Sequence, residues 1–333
     1  MKRILLSVLA AFALTFVAQA QQTGNRFDDS SRSFFDSKGS IRLETVELDE
    51  AADTLVNLRH RSDDIVWSRI VYRVIDMRFK QNYQLYFPVL PNDAYMSLFR
   101  LMLESIVDTY NEADVPNQRR KHNAYFYGVN PDDIRPVFVD SMIIKGRELS
   151  KIFKPDNGDE EDDCYNSLIQ YDTINGTYSI KEFSYMEYVR NQIKFLIQEV
   201  YFFDKHTSRL HSKIIGIAPL YALRPDYLIQ MESYAANNQP MDFFMLSILG
   251  WFSFDELRPE LARHYIIPKN NDTHRVTFDE FFGKKLYSSY LLGDSNMFNR
   301  MLLRYVTNMD DVVKEQQRIE RELLEFEQDL WEN

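Results

Sequence analysis

Cysteine is almost missing from this sequence: Cys164 is the only one in 333 residues. An intramolecular disulfide is therefore impossible, and there is no Cys-x-x-Cys pair for metal or redox chemistry. Cys164 also follows the acidic run 159–163, whose negative field disfavours a reactive thiolate. Glycine is scarce as well, with ten residues spread thinly along the chain. Neither Gly-x-x-x-x-Gly-Lys nor Gly-x-Gly-x-x-Gly occurs, so nucleotide binding by those phosphate-cradling loops is excluded. A Gly-x-Ser-x-Gly nucleophile elbow and a His-Glu-x-x-His helix are absent too. Beyond residue 20 no apolar run reaches the ~20 residues that cross a bilayer. The longest, 241–254, is broken by Asp242, Ser247 and Ser253 and reads as a buried segment. No internal repeat is present at solenoid periods.

The first 20 residues carry Lys2 and Arg3, an apolar run over 4–17, and then Ala18, Gln19 and Ala20. This is the three-part layout of a cleavable export signal with a small-x-small cut site, so the mature chain is expected to begin at Gln21. No cysteine follows the cut, so the chain is not expected to carry an acyl tether of its own, and any membrane attachment would come through a partner. Removing the signal leaves 37 basic against 50 acidic residues, a formal charge of −13. That acidity argues against nucleic acid or anionic lipid as the main partner.

Residues 21–60 are polar and charge-mixed around Phe27, Phe34 and Phe35, which reads as an extended arm that orders against a partner. Ser62, Asp63 and Asp64 look like a helix start, and Ile65, Val66, Ile70, Val74 and Met77 follow at helical spacing, which predicts an amphipathic helix over 63–80. A second helix is predicted from 92 or 93, with Leu98, Leu101, Met102, Ser105 and Ile106 on one face. Residues 134–144 read as extended chain. The stretch 155–182 reads as a loop insertion, with its acid cluster and an Asn175-Gly176 turn. The clearest strand signal lies in 195–203 and 210–218, aromatic and β-branched runs separated by 204–208, which predict a hairpin. Over 310–331, Val312, Gln316, Ile319, Leu323, Phe326 and Leu330 step by four and three along a helix. That seam fits either an inter-subunit contact or a helix packed on its own domain.

Candidates for chemistry are thin. His206 and His211 lie near the predicted hairpin turn beside Asp204, but their spacing fixes no ligand geometry, and hydrogen-bonded or solvated histidines explain them. The acids over 156–163 lack the alternating ligands of a calcium loop. Asp255, Glu256 and Glu260 could supply an acid and a base, yet Arg258 and Arg263 among them suit a surface salt-bridge network equally well. No catalytic residue, cofactor or metal is therefore expected. The competing reading is an exported hydrolase or glycan-binding protein, in which the 20 tyrosines and 24 phenylalanines line a groove.

The run Asp63-Asp64-Ile65-Val66-Trp67-Ser68-Arg69-Ile70-Val71-Tyr72-Arg73-Val74-Ile75-Asp76-Met77-Arg78, followed by Leu85-Tyr86-Phe87-Pro88, resembles the opening of the GldN/PorN family. Phe202-Phe203-Asp204-Lys205 with Ile214-Ile215-Gly216-Ile217-Ala218-Pro219 is similar to its middle. Arg258-Pro259-Glu260-Leu261-Ala262-Arg263-His264, Phe278-Asp279-Glu280-Phe281-Phe282, Ser288-Ser289-Tyr290 and Phe326-Glu327-Gln328-Asp329-Leu330-Trp331 resemble its end. The likeness covers roughly 60–333; neither the arm nor the 155–182 stretch is matched. It implies a periplasmic, non-catalytic component of type IX secretion and gliding motility, forming rings with an outer-membrane lipoprotein (GldK/PorK) at the inner face of the outer membrane. It also implies a connection to the periplasmic part of an inner-membrane motor protein (GldM/PorM). The expected architecture is α+β, with mixed helices and a small antiparallel sheet over 61–333 and an extended N-terminal arm over 21–60. The expected contact residues are Phe27, Phe34 and Phe35 in the arm and Ile319, Leu323, Phe326 and Leu330 in the last helix.

Overall fold

The structure, a computed structural model, describes residues 54–55, 60–92, 95–113, 122–129, 135–144, 148–149, 168–181, 185, 194–222, 237, 246–267, 275–295, 302, 306 and 309–332. All of them fall in the compact unit Glu47–Asn333.

The helix predicted over 63–80 is instead a long strand, β1 (Ile65–Asp76), entered by a single 3-10 turn at Ser62–Asp64. Val71 and Ile75 point to one face of the sheet and Tyr72 and Val74 to the other, and all four are buried. A strand covered on both faces gives a continuous apolar run rather than an alternation, and such a run matches a helical template by accident. A one-turn helix α1 (Tyr83–Tyr86) follows, then α2 (Leu98–Ala113). α2 starts later than 92–93 because Asn92 closes its own turn, its Oδ1 accepting from Tyr95 N at 2.7 Å. Ser97 Oγ accepts from Arg100 N at the true start. The predicted face is correct: Leu98, Leu101, Met102, Ser105 and Ile106 are all buried.

β2 (Phe126–Tyr127) is short. The described part of 134–144 runs beside it with a 3-10 turn at Asp140–Met142 and one bridge from Ile143 to Tyr127. Within 155–182, the described part is more than a loop: β3 (Ile169–Asp172) and β4 (Thr177–Ile180) form a hairpin. Its turn needs Gly176, which has φ +68°. Asn111 on α2 holds it, exchanging two hydrogen bonds with the backbone of Tyr178 at 2.7 and 3.1 Å. The hairpin expected at 195–203 and 210–218 is present as β5 (Lys194–Asp204) and β6 (Arg209–Ala222). β7 (Leu246–Ile248), β8 (Trp251–Ser253), α3 (Phe254–Arg263), α4 (Phe278–Gly283), β9 (Tyr290–Asp294) and α5 (Met309–Glu332) complete the order.

Among the described residues seven strands make one sheet, in the order β2-β8-β6-β5-β1-β9 with β7 also on β6, and each of these pairs is antiparallel. The class is α+β as expected, but the sheet is larger than the small one anticipated, because the segment expected as a helix is the 12-residue strand β1, paired on both sides. One face carries Ile75, Phe195 and Ile197 against α2, α3 and α4, in a core that includes Leu101, Ile106, Leu257 and Phe282. The other packs Tyr72, Leu196 and Ala218 with Trp251. Further along the first face, Val71 meets Leu291, Leu302, Ile319 and Leu323, so α5 lies on the end of the sheet. Gly250 sits where a Cβ would run into the Phe126 ring and stand 2.8 Å from the Tyr127 carbonyl oxygen. The variant Gly250→Val is expected to lose at least ~1–3 kcal/mol in urea unfolding through this overpacking.

Candidate functional site

The three carboxylates on α3 do not make an acid–base pair. Asp255 is exposed and bound to Lys213 Nζ at 2.6 Å. Glu260 is held by Arg263 at 2.9 Å and lies 3.6 Å from His122 Nε2. Glu256 accepts from the Tyr127 hydroxyl at 2.7 Å, while its Oε2 is buried with no hydrogen-bond partner. Burial, with the nearby charges of Asp140 and Asp255, pushes the Glu256 carboxyl above its ordinary value. Each acid answers to a different partner, so the mixture of charges along α3 reads as structure.

Arg258, expected in a surface network, is buried. Its guanidinium grips Asp279 of α4 through both oxygens, Nε at 2.8 Å and Nη2 at 3.0 Å. The same two side chains hold the chain ahead of β1: Asp279 Oδ2 accepts from Leu55 N at 2.7 Å, and Arg258 donates to Leu55 O.

A second grip lies closer to the start of β1, where Ile65 pairs with Asp204. His60 Nδ1 is 2.6 Å from Asp204 Oδ2 at the end of β5, and Asp204 Oδ1 accepts from His206 N at 2.7 Å. The bond to His60 and those to the turn backbone hold the Asp204 carboxyl below its ordinary value. His211 on β6 tilts against His60 with ring centroids 4.6 Å apart, and burial pushes its imidazole below the usual histidine value. Asp204 and His211 thus converge, but their companion is His60; the His206 side chain is exposed.

The C-terminal seam is turned inward. Val312, Ile319 and Leu323 are buried, the last two against Val71 and Leu291. Phe326 stacks on Trp67 of β1 at 4.3 Å and meets Phe203 edge-on. Polar bonds reinforce the pose: Arg73 to Glu320 and Arg69 to Glu322, each at 3.1 Å. Outward, α5 exposes Val313 and Leu324. Phe27, Phe34, Phe35, the acids over 156–163, Cys164 and the Leu330 side chain lie outside the described residues.

The model of the family described as "Gliding motility associated protein GldN" matches residues 60–332. The chain belongs to the GldN family. Membership makes it a component of the gliding-motility and type IX secretion machinery, located in the cell envelope. No curated protein matches the chain significantly. Among the described residues of this GldN-family chain, no helix is long and apolar enough to cross a membrane. The match starts at His60, where the chain is tied to Asp204.

Proposed function

We propose that this GldN-family protein is a non-catalytic structural subunit of a periplasmic ring in the type IX secretion and gliding-motility machinery. It assembles with further copies of itself and with a GldK/PorK-like lipoprotein at the inner face of the outer membrane, and it meets a GldM/PorM-like motor component from the other side. The observation that carries this reading is the family match across nearly the whole sheet and its helices. The export signal at 1–20 and the acidic balance of the mature chain agree with a periplasmic place. The α3 carboxylates, each committed to a structural partner, favour a scaffold over an enzyme.

Contacts with partners are assigned to the arm, through Phe27, Phe34 and Phe35, and to α5, through Phe326 and Leu330 near its end and the exposed Val313 and Leu324 along it. Ile319 and Leu323 serve that surface from beneath by fixing the helix on β1 and β9.

A strain lacking the chain, complemented with the triple variant Asp255→Asn, Glu256→Gln, Glu260→Gln, tests the non-catalytic part. Export of type IX cargo is expected to match complementation with the unaltered chain. Loss of export by a variant that folds with an unchanged melting temperature would show that one of these acids does chemistry.

A further inference from the structure

His60, Asp204 and His211 each place one ligand atom within 4.8 Å of the others. They come from separate places in the chain: the segment entering β1, the last residue of β5 and the third residue of β6. Two imidazoles and one carboxylate are the donor set of zinc and its neighbours, whereas calcium and magnesium take oxygens. Two of the donors are steadied from behind by a hydrogen bond, as metal ligands generally are. The Asp204 carboxylate is oriented by the His206 N–H on its other oxygen. The His211 ring is placed by Thr207, whose Oγ1 lies 2.9 Å from Nε2, and by Phe202 stacked against it at 5.6 Å. Phe202 also meets His60 edge-on at 4.9 Å, so one ring forms the apolar wall for both imidazoles.

We propose that these three side chains bind one zinc-class divalent cation, which staples the segment entering β1 to the β5–β6 hairpin. A tetrahedral ion with ligand bonds near 2.1 Å holds neighbouring donors about 3.4 Å apart. His60 Nδ1 and Asp204 Oδ2, now 2.6 Å apart in a hydrogen bond, therefore separate by roughly 0.8 Å to admit it. The ion takes the Nδ1 lone pair; the proton moves to Nε2 of a neutral ring or leaves to solvent from a charged one. Three protein donors leave a fourth position for water. The cluster is within reach of solvent, with the His60 side chain 13% exposed.

The test uses the full mature chain stripped with a chelator. Calorimetric titration with zinc chloride is expected to show one site per chain and a raised melting temperature, and magnesium chloride is expected to do neither. The variant His211→Ala, which leaves the His60–Asp204 hydrogen bond in place, should bind zinc about 100-fold more weakly or worse, since even outer-shell changes cost up to that much. His206→Ala, which removes an exposed neighbouring imidazole, should bind like the parent. Absence of stoichiometric zinc binding by the parent, or equal binding by His211→Ala, would overturn the proposal.

Discussion

The variant Asp76→Asn is expected to lose about 3–5 kcal/mol of folding stability at neutral pH, read by urea unfolding, because it strands a buried charge. Lys194 is 1% exposed, and its ammonium lies 3.7 Å from Asp76 Oδ2 and donates to Tyr290 Oη at 3.1 Å. Asp76 in turn is gripped by Arg78, through the side chain at 2.6 Å and the backbone N–H at 2.9 Å. Burial alone would raise the Asp76 carboxyl, but the Arg78 hydrogen bonds and the Lys194 charge outweigh it and the net shift is downward. Its contribution is complete above the unfolded carboxylate value and is lost as pH falls through the folded one.

The shift of Lys194 is a cost rather than a contribution, although its pH dependence runs the same way. Burial pushes it down to about 8 from 10.5, so between those values the folded state holds fewer protons than the unfolded chain. Stability from this group therefore rises with pH across that window, and the cost of the charged lysine is fully present below it. Removing the Asp76 charge lowers the folded value further and opens the window at lower pH. The variant should regain more stability than the parent between about pH 7 and 10. An unchanged urea midpoint, or parallel pH curves for the two proteins, would show that the pair is not coupled.

The second large effect belongs to the C-terminal helix. Ile319→Ala is expected to cost about 2–5 kcal/mol, the range for emptying a closed core site, because Ile319 is 0% exposed among Val71, Leu291 and Leu302. Leu324→Ala, on a side chain 59% exposed, should change stability by less than ~0.5 kcal/mol and act only on assembly. The two variants separate what holds α5 down from what it offers outward. If Ile319→Ala kept full stability yet abolished co-purification of partners, the seam would be an interface and its packing on β1 and β9 would be incidental.

How far the residues alone lead depends on the distance over which each feature is encoded. The β5–β6 hairpin is legible because both strands and their turn lie within 30 residues, with β-branched and aromatic runs on either side of 204–208. α2 and α5 are legible because their buried faces follow a helical period. β1 is not: the strand lies between β5 and β9, both distant in sequence, and its burial on two faces erases the alternation that marks a strand. Candidate sites follow the same rule. Asp204 and His211 lie close enough in sequence to be paired, but His60 lies 144 residues from Asp204, at the edge of the polar stretch 21–60. Arg258 looked like a surface charge because its true partner, Asp279, belongs to the next helix, while the nearer Asp255, Glu256 and Glu260 offered an easy explanation. The clamp of Arg258 and Asp279 on Leu55 had no sequence signal, since it is made to backbone atoms.

A scaffolding role is tested most directly by recovering a tagged copy of this chain, expressed at native level, from gently solubilised envelopes and imaging what comes with it. The account predicts a large ring-shaped particle containing many copies of the chain with an outer-membrane lipoprotein. Recovery of the folded chain alone as a monomer, from cells that export type IX cargo normally, would contradict it.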